Sequence, residues 1–90
     1  IVCIGKYEDG QKTGIWIEYY ANKKMRSQIE YKNGIPFGKC QFFWPNGTIG
    51  EEFTITTDSI FPTTIYNEDG TFLSIKEVIR EEVIKSIYEN

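Results

Sequence analysis

Apolar and polar residues alternate along most of this chain, and the alternation stops at a few Gly, Asn and Pro positions. Between Ile15 and Tyr20 one set of alternate positions holds Trp16, Glu18 and Tyr20, and the other holds Ile15, Ile17 and Tyr19. A period of two in β-branched and aromatic residues predicts strands. The following stretch puts Met25, Ser27, Ile29 and Tyr31 on one strand face. Further on, Cys40, Phe42 and Trp44 answer Trp16, Glu18 and Tyr20. Ile49, Glu51, Phe53 and Ile55 answer the second set. The apolar members of these sets are expected to form the inner face of a twisted antiparallel meander. The opposite face is mixed, with Ile15, Ile17 and Tyr19 beside Lys39 and Gln41.

The turns recur with the strands. Shifted by 24 residues, Gly10 falls on Gly34, Gly14 on Gly38, Tyr19-Tyr20 on Phe43-Trp44 and Asn22 on Asn46. Asn33-Gly34 tolerates positive φ and marks a hairpin, and Pro45-Asn46-Gly47-Thr48 marks another. A degraded third copy follows. Asp69-Gly70-Thr71-Phe72 echoes Asn46-Gly47-Thr48-Ile49, but Thr57-Asp58 replaces Asn33-Gly34 and Pro62 replaces Gly38. The units run over about residues 5–28, 29–52 and 53–72, giving about six strands. The tail changes period. Ser74 with Glu77 three residues on makes a capping box. Ile75, Val78, Ile79, Val83, Ile84, Ile87 and Tyr88 recur at helical spacing, so a helix is expected over residues 74–89, capping the sheet.

The stretch from Gly5 through Gly10, Gly14, Trp16 and Tyr20 to Asn22, and its echo from Tyr31 through Asn33-Gly34, Gly38 and Trp44 to Asn46-Gly47, resemble the bacterial MORN-type repeat. The variant is the one found in the YwqK antitoxin-like family. The likeness is good over residues 5–55 and poor over 56–72. Lys23 stands where that repeat has a turn glycine, and Cys40 takes the place of Trp16. The resemblance implies a mainly β, antiparallel hairpin-repeat sheet without catalytic activity. It also implies an antitoxin-like role, or contact of Lys23, Lys24 and Arg26 with acidic phospholipid headgroups.

Composition narrows the chemistry. The 90 residues suffice for one small domain, and 16% aromatic content argues against disorder. A net charge of −3, falling mainly on the second half, makes a nucleic-acid backbone an unsuitable partner. With no histidine, the commonest general base and metal ligand is absent. Cys3 and Cys40 cannot by themselves close a zinc site, and two reduced thiols are expected. Cys40, Ser27, Ser59 and Ser74 have no imidazole to activate them. Glu51-Glu52 are strand neighbours and point to opposite faces, so they do not converge as an acid–base pair. Gly5, Gly10 and Gly14 are turn glycines rather than a phosphate cradle. Asn46-Gly47-Thr48 fits a glycosylation sequon, but a hairpin turn accounts for all three residues. No apolar stretch is long enough to span a bilayer. The chain begins at Ile1, so an upstream segment is expected, and with it either a bacterial cytoplasmic or an exported protein.

These readings lead to a non-catalytic module with no metal, cofactor or small-molecule substrate. Fourteen aromatic side chains exceed what one sheet and one helix hide easily. Ile15, Ile17, Tyr19 and Phe43 are therefore the candidate face for a protein partner or for homodimer packing. The alternatives are attachment to a membrane surface through Lys23, Lys24 and Arg26, and a structural piece of a longer repeat protein.

Overall fold

The computed structural model describes residues 3–89. Seven strands form one antiparallel sheet in chain order, each paired with the next. They are β1 (Cys3–Glu8), β2 (Gln11–Tyr19), β3 (Met25–Lys32), β4 (Ile35–Phe43), β5 (Ile49–Ile55), β6 (Ile60–Tyr66) and β7 (Phe72–Ile79). A helix, α1 (Arg80–Glu89), follows β7. The expected hairpin meander with a C-terminal helix is thus the architecture found, with one strand more than the pattern predicted.

The extra strand comes out of the expected helix. Residues 72–79 pair with β6 from Tyr66↔Phe72 to Ile60↔Ile79. Ile75, Val78 and Ile79 are β-branched and suit a strand, so pairing overrides the helical spacing. Ser74 and Glu77 are therefore strand residues, not a capping box. The helix instead opens with Glu81 and Glu82 in its first turn, where carboxylates complement the helix dipole.

One end of the sheet carries tight two-residue turns. Asp9-Gly10 and Asn33-Gly34 all have positive φ, between 52° and 81°, which matches the twist of the flanking strands. The other end carries three turns of one design. In each, the first residue accepts a backbone bond from the fourth: Lys23 N–H to Tyr20 O, Gly47 N–H to Trp44 O and Gly70 N–H to Asn67 O, at 2.8–2.9 Å. Side chains then tie turn to turn. Asn22 Nδ2 donates to Pro45 O at 2.8 Å, and Asn46 Nδ2 donates to Glu68 O at 2.7 Å. The Asn46 amide is thereby committed to the neighbouring turn. In the last turn the equivalent residue is Asp69, which has no N–H to pass on, and the ladder of turns stops there.

The core lies on one sheet face. Trp16, Ile29, Cys40 and Phe53 are aligned across β2–β5 and are buried with Tyr31, Ile55 and Phe61. This is the inner face the alternation predicted. Phe42, Phe53 and Phe61 stack in sequence, with centroid distances of 5.9 and 5.5 Å. The helix lies on this face through half-buried Val83, Ile84 and Ile87. It is anchored at both ends: Arg80 N–H donates to Ser59 O at 2.8 Å, and Tyr88 OH donates to Gly34 O at 2.6 Å. Ten residues span about 15 Å, close to three strand spacings. The helix therefore crosses from β7 back to β4 along the end that holds the Asn33-Gly34 turn. It leaves the rest of the inner face open.

Two weak points follow from the degraded third repeat. Pro62 brings no N–H to β6, and the pairing of β5 with β6 is confined to Glu51↔Ile65 and Glu52↔Thr64. The β7 edge is unpaired and presents exposed Phe72, Leu73, Ile75 and Ile79. Cys40 is a free, fully buried thiol, while the side chain of Cys3 lies outside the described residues.

Candidate functional site

The uncovered half of the inner face is a groove of about 810 Å³. Its floor is Phe42, Phe53, Thr63, Ile65 and Val78, contributed by β4 to β7. One wall is the helix, through Glu82, Val83, Ser86 and Ile87. Tyr20, Phe43 and Trp44, from the end of the sheet where the turns are laddered, form the other. Two of these aromatics are fixed by polar contacts. Tyr20 OH donates to Phe43 O at 2.6 Å, and Trp44 Nε1 donates to Tyr66 O at 3.1 Å. Gly50 allows the second of these, since a Cβ there would stand 3.2 Å from Trp44 Nε1. The aromatic wall is thus held before anything enters.

The groove's polar groups are few. Glu51, Glu77 and Glu82 line it, against a single ammonium, Lys76. Thr63 is 3% exposed, and its hydroxyl has no hydrogen-bond partner among the described residues. On the other face of the sheet Glu52 is differently placed. It accepts from Gln41 Nε2 and from Tyr66 OH, both at 3.2 Å. Desolvation, and then the Glu52 carboxylate, raise the Tyr66 phenol above its ordinary value. Glu51 and Glu52 therefore work in separate environments and form no acid–base pair. Cys40 offers no nucleophile: burial pushes its thiol up to about 12, so it stays protonated. No cluster of three or more potential metal ligands is present among the described residues. None of their helices is long and apolar enough to cross a membrane.

The four residues of the expected interaction face are not brought together. Phe43 lines the groove on the core side, whereas Ile15, Ile17 and Tyr19 do not line it. Ile15 and Ile17 keep regular register with β3, whereas Phe43 lies just past a register shift between Phe42 and Phe43; a second shift lies between Glu18 and Tyr19. Each bulge interrupts the alternation on which the face assignment depended. Ile15 is 55% exposed and sits opposite Glu30, and Ile17 pairs with Ile4 and Gln28. Lys23 and Lys24 are exposed at the first laddered turn, while Arg26 is half-buried in β3. Lys23 keeps the left-handed backbone of the glycine it replaces, with φ 70°.

The family model for the MORN repeat variant matches residues 12–33, which cover most of β2, the first laddered turn and β3. Repeats of this family are commonly non-catalytic modules used in binding. No curated protein matches the chain.

Proposed function

We propose that this chain is a non-catalytic module that binds a segment of a partner protein in the groove beside α1. The observation that carries this reading is the preformed aromatic wall over a half-covered apolar floor. Grooves of this kind, with aromatic anchors and a polar rim, are the usual seats of binding energy at protein interfaces. An antitoxin-like role is one form of the same reading, since such a protein acts by binding another.

The competing reading is attachment to an anionic membrane through Lys23, Lys24 and Arg26. Exposure of Lys23 and Lys24 at one turn favours it. Each such charge contributes only about 1 kcal/mol at an anionic surface. Glu68 and Asp69, exposed on the third turn at the same end of the sheet, oppose it. The groove is the better-supported site.

Two exposed aliphatic side chains make the test. Leu73 lines the groove and Ile15 does not, yet they are 56% and 55% exposed. A protein retained from the source cell by the full chain should be lost with Phe43→Ser/Leu73→Ser and kept with Ile15→Ser. Circular dichroism of both variants checks the fold. Loss through Ile15→Ser alone would move the site to the other face. Co-sedimentation with anionic vesicles, abolished by Lys23→Glu/Lys24→Glu, would favour the membrane instead.

A further inference from the structure

The charges and the buried hydroxyl of the groove specify what kind of segment fits it. We infer that the occupant is an apolar peptide segment bearing a lysine or arginine, held by the Glu51 and Glu82 carboxylates and the aromatic wall. This deepens the protein-binding reading and rests on it.

Three observations converge. First, three carboxylates and one ammonium line the groove, and none of the three carboxylates has a side-chain hydrogen bond or ion pair among the described residues. An anionic ligand is repelled and a cationic one is drawn in. Second, Tyr20, Phe43 and Trp44 line the same groove. Aromatic faces attract ammonium and guanidinium groups, most strongly where water is partly excluded. Third, Thr63 on the floor is almost completely buried with its hydroxyl unpartnered. A buried polar group without a partner is costly, and an occupant supplying an N–H removes that cost. Phe42, Phe53, Ile65 and Val78 leave the remainder of the floor apolar, which sets the character of the residues flanking the cation.

Panning random dodecapeptides on phage against the full chain tests the inference. Enriched sequences should combine apolar residues with lysine or arginine. Their synthetic counterparts should bind at least tenfold more weakly to Glu51→Gln/Glu82→Gln and lose most of their salt dependence. Thr63→Val keeps the side-chain shape and removes the orphan hydroxyl. It should raise the melting temperature of the free chain and weaken the peptide severalfold, a combination that a purely structural threonine does not give. Enriched sequences without basic residues, or unchanged affinity for the charge variant, overturn the inference and leave the protein-binding reading standing. If nothing is enriched over a Phe43→Ser/Leu73→Ser control, both fall.

Discussion

Gly5→Ala probes how the sheet closes its β1 end. Trp16 projects from β2 across the backbone of β1, and a Cβ on Gly5 would stand 2.2 Å from Trp16 Cδ2 and 2.3 Å from Cε2. Carbon atoms pack at about 3.5 Å or more, so the overlap is roughly 1.3 Å. The indole has little freedom to retreat. Its Nε1 donates to Lys6 O at 3.1 Å and to Thr13 O at 3.2 Å. Tyr7 meets it edge-on at 5.0 Å, and the Lys12 ammonium lies 4.8 Å from its centroid. Displacing it loses a hydrogen bond, about 1 kcal/mol, and an aromatic pair, about 0.5–1.5 kcal/mol. Strain adds about 1–3 kcal/mol. Against this, replacing glycine in a strand gains about 0.5–1 kcal/mol. The net expectation is a loss of about 3 kcal/mol, within a range of about 1.5–5, or roughly 12–24 °C in Tm at the central value for a domain of this size. Urea unfolding in a double-mutant cycle isolates the cause. In a Trp16→Ala background, Gly5→Ala should change sign and stabilise by up to about 1 kcal/mol. A Gly5→Ala variant as stable as the parent, or an equal loss in both backgrounds, would refute the reasoning.

Three further outcomes can be checked by equilibrium unfolding. Lys23→Gly should stabilise by about 1 kcal/mol, because Lys23 holds φ 70° that glycine adopts freely, whereas Gly47→Ala, at φ 93°, should destabilise by about that much or more; matching signs would contradict this. Asn46→Asp removes the donor to Glu68 O while keeping the oxygen that accepts from Thr48 N–H, and should lose about 1 kcal/mol; an unchanged urea midpoint would mean the ladder between turns adds nothing. Cys40 in the folded chain keeps its proton up to about pH 12, while the unfolded thiol ionises near pH 9. Its contribution is full below pH 9 and is lost as pH rises towards 12, so by pH 10 the parent should lose about 1.4 kcal/mol more than Cys40→Ala does, relative to pH 8; parallel pH curves would exclude it.

Much of this fold can be read from residue order because the repeat states each instruction more than once. Trp16, Ile29, Cys40 and Phe53 lie on one face since β2 to β5 keep a period of two around their centres. Asn33-Gly34 and Asn46-Gly47 mark their turns by backbone requirement alone. The error at residues 74–79 had a corrective in the same sequence. Asp69-Gly70-Thr71 matches the turn before β5, and a turn of that design leads into a strand. Helical spacing of Ile75, Val78 and Ile79 is a local signal, and it lost to a nonlocal one, the partner offered by β6. In a six-residue stretch with only three apolar residues, all β-branched, the two periods are hard to separate by counting.

The site was less legible for a related reason: it is made by what the helix fails to cover. A helix of sixteen residues, as the spacing suggested, would have reached about 24 Å and roofed the inner face more fully. The chain spends residues 72–79 on β7, and the ten left for α1 reach only from β7 to β4. That shortfall leaves Phe42, Ile65 and Val78 only half-buried; the alternation puts Phe42 on the inner face, while the helical spacing puts Val78 on the helix. The register shift between Phe42 and Phe43, which leaves Gly50 as the extra residue of β5, then brings Phe43 into the same groove as Trp44. Glu51 was visible on the core-facing set from the start as the one acidic residue of β5 on that face. A carboxylate in an otherwise apolar row is expensive to bury. Its presence there is consistent only with a face left open to water or to a partner that neutralises it, and the groove supplies that opening.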